Sequence, residues 1–199
     1  MVHKTMQECN LIIDKRQVKF LTQKKVSPPS LKAQLKLHKI GIPIQPVINN
    51  RTAPAHKLAK HLTKTLNQYI ILNNHYNVSN STKLALDLTK IKIHDNHRMM
   101  TFDIKDLYVN IPIEETLNNL KPQLLENNNN VQITNQLLSL LRVTLLKNYF
   151  TLQQNIYQPK LRVSMGSPIS SLIAEIVLQH SKDAYVKQLL DTKNIAFYT

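Results

Sequence analysis

The residues best suited to chemistry begin with Asp103, in the run Met99-Met100-Thr101-Phe102-Asp103-Ile104-Lys105-Asp106-Leu107-Tyr108. Met100, Phe102 and Ile104 alternate with Thr101, Asp103 and Lys105, the two-residue period of a strand with one apolar face. A carboxylate on a strand inside a domain is costly unless it is paired or holds a cation. Mg²⁺, a hard ion that prefers carboxylate oxygens, fits that role. A salt bridge to a nearby lysine is the equally common alternative. Asp106 would face the opposite side of an ideal strand and reads as structural, a cap or an ion-pair partner. His94, Asp95 and His97 have ligand chemistry, but without cysteine or a second histidine pair they read as an exposed loop. The other candidate is Ser164-Met165-Gly166-Ser167-Pro168, where the missing Cβ of Gly166 lets the backbone approach a ligand closely. An ordinary turn before a helix is the alternative there.

The elements that must position these groups can be read from periodicity and punctuation. Lys32 to Lys39 alternates in part (Leu31, Ala33, Leu35, Leu37) and predicts a strand. Ile42-Pro43-Ile44-Gln45-Pro46-Val47-Ile48 predicts an edge strand, because proline cannot donate to a central ladder. Asn49 to Thr52 reads as a turn, with Thr52 a helix cap and Pro54 near the first helical position. Leu58, Leu62, Leu66 and Tyr69 predict a helix to about Leu72, and Leu84, Leu88 and Ile91 a shorter one. Residues 99–107 form the clearest predicted strand. Pro112 opens a helix whose first-turn acids, Glu114 and Glu115, suit the helix dipole. Leu137, Leu141 and Leu145 mark the next helix. Phe150 to Tyr157 predicts a hairpin about Gln153-Gln154-Asn155, and a long helix follows Pro168. Residues 194–199 turn extended again. The expected divisions are a basic segment 1–30, a region 31–97 and a region 98–199.

Composition narrows the classes. The 199-residue chain is 42% hydrophobic, enough for a buried core, and its two glycines exclude Gly-rich phosphate loops. One cysteine, Cys9, excludes an internal disulfide framework and cysteine-based zinc sites. No apolar run approaches the roughly 20 residues that span a bilayer, so no membrane partner is expected. The reading is of an intracellular protein. The net charge is +14, and residues 1–64 hold 13 of the 26 basic residues with only two acids, a net of +11. Such polarity suits a polyanion, since each neutralised phosphate releases condensed counterions; a solvated basic face is the plainer alternative.

Three segments together carry a family resemblance. Thr101 to Pro112 resembles the first palm motif of reverse transcriptases in the form used by Penelope-like retroelements. Ser164 to Glu175 resembles that family's Met-Gly-Ser-Pro motif and its following helix. His38-Lys39 with Ile42 to Ile48 resembles its fingers strands. The resemblance covers about residues 32–199 and implies an α/β (α+β) fold of fingers and partial palm, with an incomplete antiparallel palm sheet backed by helices. On that sheet the Asp103 strand would be central, with the helix from about Ser171 packed behind it. It implies an RNA-directed DNA polymerase that extends a DNA primer on an RNA template with deoxynucleoside triphosphates. Asp103 would bind two Mg²⁺ ions, roughly 3.5–4 Å apart, with the backbone carbonyl of Ile104 completing one shell. Tyr108 falls where the family places a steric gate against the ribose 2′-hydroxyl, though it would also serve as a core aromatic. Gly166, Ser167 and Pro168 would line the nascent base pair, and Lys39 would lie near nucleotide or template. A nuclear location follows from the retroelement resemblance alone.

The sequence departs from the family in three places. Gln45 stands where the family usually has a triphosphate-gripping arginine, and glutamine supplies neither charge nor a bidentate fork. Leu161-Arg162 occupies a place where the family often has glycine. In the family, a stretch like Ile195 to Thr199 leads at once into a Tyr-x-Asp-Asp turn whose aspartates complete the metal site. The chain stops there, so it is expected to be a truncated piece without polymerase activity. Two alternatives remain: a non-catalytic nucleic-acid-binding remnant or domesticated protein, and a poorly folding pseudogene product with an exposed sheet edge.

Overall fold

A computed structural model describes residues 1–37, 40–72, 76–159 and 163–199. In chain order the elements are α1 (Val2–Glu8), α2 (Lys15–Leu21), β1 (Ser30–Leu35), β2 (Ile44–Asn49), α3 (His56–Tyr69) and α4 (Ser81–Thr89). There follow α5 (Leu107–Asn110), α6 (Ile113–Asn128), α7 (Val131–Leu146), β3 (Phe150–Leu152) and β4 (Asn155–Tyr157). The chain then runs through α8 (Ser170–Ser181), a π-helical turn (Lys182–Val186) and α9 (Lys187–Asp191). It is a mixed α/β protein that divides into two compact units: residues 1–71 with 106–176, and residues 72–105 with 177–199.

The core of the first unit is helical, with α7 packed against α1, α3 and α6. Leu58, Leu62 and Leu66 recur every four residues on α3 and are fully buried, as are Leu137, Leu140 and Leu141 on α7. That spacing places them on one face of each helix. The caps are local and chemical. Asp14 Oδ1 accepts from Gln17 N at 2.7 Å while Gln17 Oε1 accepts from Asp14 N at 2.9 Å, a complete capping box on α2. Asn130 caps α7 by accepting from the Gln132 and Ile133 amides. The predicted cap at Thr52 does not form: Thr52 is engaged by the Ser27 hydroxyl at 2.7 Å, and α3 begins at His56 after two tight turns.

A mixed four-stranded sheet runs in the order β2-β1-β3-β4. β1 and β2 pair antiparallel over their full length, from Ser30 opposite Asn49 to Leu35 opposite Ile44. β2 lies at the edge, where its Pro46 needs no donor, as the two prolines predict. β1 meets β3 in parallel at Ser30 and Thr151, with Thr151 N donating to Pro29 O at 2.7 Å. The β3–β4 hairpin forms where expected, with Gln153 and Gln154 in the left-handed region at φ 48° and 68°.

The second unit has a thinner interior. α4, capped by Asn80, has no buried residue. Tyr76 and Tyr198 meet edge to face at 5.6 Å, the Lys182 ammonium lies 5.9 Å from the Tyr198 ring centre, and Lys182 Nζ donates to Asn77 at 2.9 Å. The clearest predicted strand is absent here. Residues 99–104 adopt no regular structure, and Met100 and Phe102 are 69% and 84% exposed. The physical reason is that a strand exists only beside a hydrogen-bonded neighbour. Among the described residues the sheet ends at β2 and β4, and nothing is paired to this run. Asp103 is therefore not at the centre of a sheet. Residues 194–199 likewise form no strand. No helix among the described residues is long and apolar enough to cross a membrane.

Candidate functional site

Within the first unit, three of the segments singled out in the sequence meet. The turn 163–170 closes on itself: Ser167 N donates to Ser164 O at 3.3 Å, Ser170 N to Ser167 O at 3.1 Å, and Ser170 Oγ to Ser164 O at 2.6 Å. The outer edge of β2 docks against this turn, with Ile48 N donating to Met165 O at 3.0 Å. Gly166 sits at φ +108°, where side chains are strained, and a Cβ there would lie 2.2 Å from the Ile48 carbonyl oxygen. Only glycine admits this contact, so Gly166 is explained first by packing against β2. The Gln45 amide nitrogen donates to the Met165 sulfur at 2.8 Å. Pro168 O accepts from the Thr63 hydroxyl of α3 at 3.3 Å. Val163 N donates to the carbonyl of half-buried Tyr108, on the one-turn helix α5, at 3.2 Å.

Gln45, Tyr108, Gly166, Ser167 and Pro168 thus belong to one locality. Gly166 is exposed while Gln45, Ser167 and Pro168 are half-buried, so the turn presents an open backbone face with a fixed conformation. Asp103 and Ile104 belong to the second unit, and both are exposed. Lys39 and Arg162 lie outside the described residues. Asp106, expected to be structural, stands at the N-terminus of α5 in the left-handed region at φ 54°, and its side chain makes no capping bond. His94 and His97 form a small turn in which His97 Nδ1 accepts from His94 N at 2.8 Å.

The donor set for Mg²⁺ can be tested on these residues. Among those described, no three His, Cys, Asp or Glu side chains converge. Asp103, exposed and without an ion pair among the described residues, offers one carboxylate to a hydrated cation and leaves the remaining ligands to other groups. The described residues do not by themselves make a two-ion centre.

Sequence reasoning missed His56, and it gave the Ser164 hydroxyl no role of its own within the Ser164–Pro168 run. Ser164 Oγ and His56 Nδ1 are buried without a hydrogen-bond partner among the described residues. Both side chains line a cavity of about 20 Å³ next to the turn. Burial, and then the nearby Lys60 and Arg51 charges, push the His56 pKa below its ordinary 6.5. The imidazole is therefore neutral at neutral pH. Burial likewise lowers His61, with a further contribution from Lys64. No periodicity could have marked either histidine, because their burial is tertiary. In comparisons with known proteins, no protein-family model matches the chain and no curated protein is significantly similar to it.

Proposed function

We propose that this chain is the fingers and part of the palm of a retroelement reverse transcriptase, an RNA-directed DNA polymerase that works on an RNA template and DNA primer. The observation that carries the reading is the docking of the Ile44-Gln45-Pro46-Val47-Ile48 strand on the Met165-Gly166 turn. Both resemble family motifs that flank the nascent base pair, and they lie far apart in the chain. In this reading the turn's backbone positions the base pair, and Gln45, whose amide is engaged by the Met165 sulfur, offers the nucleotide no charge. Tyr108 stands beside the same turn as the candidate 2′-hydroxyl gate. Asp103 would supply one carboxylate to Mg²⁺, with other acids completing the site.

A second reading, a non-catalytic nucleic-acid-binding protein, draws on a different observation. The basic excess of +11 lies within residues 1–64, and the described acids do not converge. The two readings separate in one binding experiment. Fluorescence anisotropy with an RNA–DNA hybrid primer-template, titrated against heparin and rising salt, reads affinity and its salt slope. The polymerase reading expects preference for the hybrid, and Gln45→Arg should tighten its ternary complex with deoxynucleoside triphosphate about tenfold. Equal affinity for hybrid and heparin, with no nucleotide effect, leaves only the second reading. Primer extension by this chain alone should give no product; synthesis abolished by Asp103→Asn would overturn that expectation.

A further inference from the structure

We propose that a single ordered water occupies the cavity beside the Ser164–Ser170 turn, bridging the His56 imidazole to the Ser164 hydroxyl. The inference does not depend on what the turn binds. At about 20 Å³ the space is large enough to hold a water. Its walls mix apolar Ala53, Leu145 and Val163 with polar residues, among them Asn50, Thr144 and Ser167, which could partner a water. Ser164 is 6% exposed, and its hydroxyl and His56 Nδ1 are buried without partners among the described residues. A buried hydroxyl without a partner loses its hydration for no return, and native interiors rarely leave one so. One water satisfies both atoms at once: the hydroxyl donates or accepts, and a neutral imidazole keeps one ring nitrogen as an acceptor. The water would tie the first turn of α3 to the residue whose carbonyl already receives the Ser167 amide and the Ser170 hydroxyl. It is then part of what fixes the turn on which Gly166 stands.

The test exploits a difference of sign. If the water is present, Ser164→Ala removes one of its anchors and lowers the melting temperature by about 2–4 °C. If the cavity is dry, the same change deletes an unsatisfied hydroxyl, and the melting temperature holds or rises. His56→Phe supplies the second arm. With a shared water the double variant loses less than the sum of the two single shifts, and with a dry cavity the shifts add. A crystal structure of the full chain at a resolution that shows solvent should place density within hydrogen-bonding reach of both side chains. No density there, a raised melting temperature for Ser164→Ala, or additive shifts would each overturn the proposal.

Discussion

The first unit, residues 1–71 and 106–176, and the second, residues 72–105 and 177–199, solve the folding problem to different degrees. In the first, long-range bonds fix the residues of interest: β2 holds Met165 and excludes any Cβ at Gly166, α3 holds Pro168, and the Val163 amide holds Tyr108. In the second, α4 buries nothing, and the run from Met99 to Ile104 leaves its apolar side chains in water. The difference lies in partners. A helix satisfies its own backbone and needs only a face to bury, whereas a strand needs another strand. An alternating pattern therefore states which face would be buried without supplying the neighbour that buries it. Tyr76, Tyr198 and Lys182 show that the second unit does hold together, but through ring and side-chain contacts instead of a packed aliphatic layer.

The largest test of that contrast compares two apolar truncations. Leu62 is fully buried on α3, and Leu62→Ala should cost about 4 kcal/mol, the loss of a core side chain plus the cavity it leaves. Phe102 is 84% exposed, and Phe102→Ala should change stability by less than about 0.5 kcal/mol. Urea denaturation of both variants reads the two values. A large loss at Phe102 would mean that residues 99–104 are buried in solution, and the contrast between the units would fail.

A smaller effect separates the two glycines. Both have positive φ, +108° at Gly166 and +79° at Gly41, but only Gly166 has a backbone atom in the way of a Cβ. Gly166→Ala should cost about 3 kcal/mol, as the turn must leave β2 or strain to stay. Gly41→Ala should cost about 1 kcal/mol, the conformational term alone. Equal losses at the two sites would show that the Met165–Ile48 docking contributes nothing beyond backbone conformation.

The helices were legible in the sequence where their signals are local. Leu58, Leu62 and Leu66 announce the buried face of α3, Glu114 and Glu115 the first turn of α6, and Pro43 and Pro46 the place of β2 at the sheet edge. The start of α3 was not legible, because Ser27 competes for Thr52 from outside the local window. Of the candidate site, Gly166 was legible as a position needing no Cβ, although the contact that requires it is with Ile48 of this same chain. Asp103 was legible as a carboxylate on an alternating run; the strand it implied needs a pairing that the described residues do not supply. His56 carried no signal, and Ser164 was legible only as a member of its motif, since only the folded chain brings the two residues to one cavity.

The smallest effect places the same chemistry in both units. Asn130 caps α7 and Asn80 caps α4, each side chain accepting from backbone amides of the first turn. Replacing either by alanine removes a cap worth about 1 kcal/mol. The consequences should differ because the helices do. α7 carries seven buried residues at the centre of the first unit, so its cap is part of the global transition, and Asn130→Ala should lower the melting temperature by about 2–4 °C. α4 buries none, so it should open locally without unfolding the rest. Asn80→Ala should then leave the melting temperature unchanged while amide exchange across residues 81–89 quickens about fivefold, as a loss near 1 kcal/mol requires. An equal fall in melting temperature for both variants would mean that α4 unfolds only with the whole chain, and the two units would then be one cooperative structure.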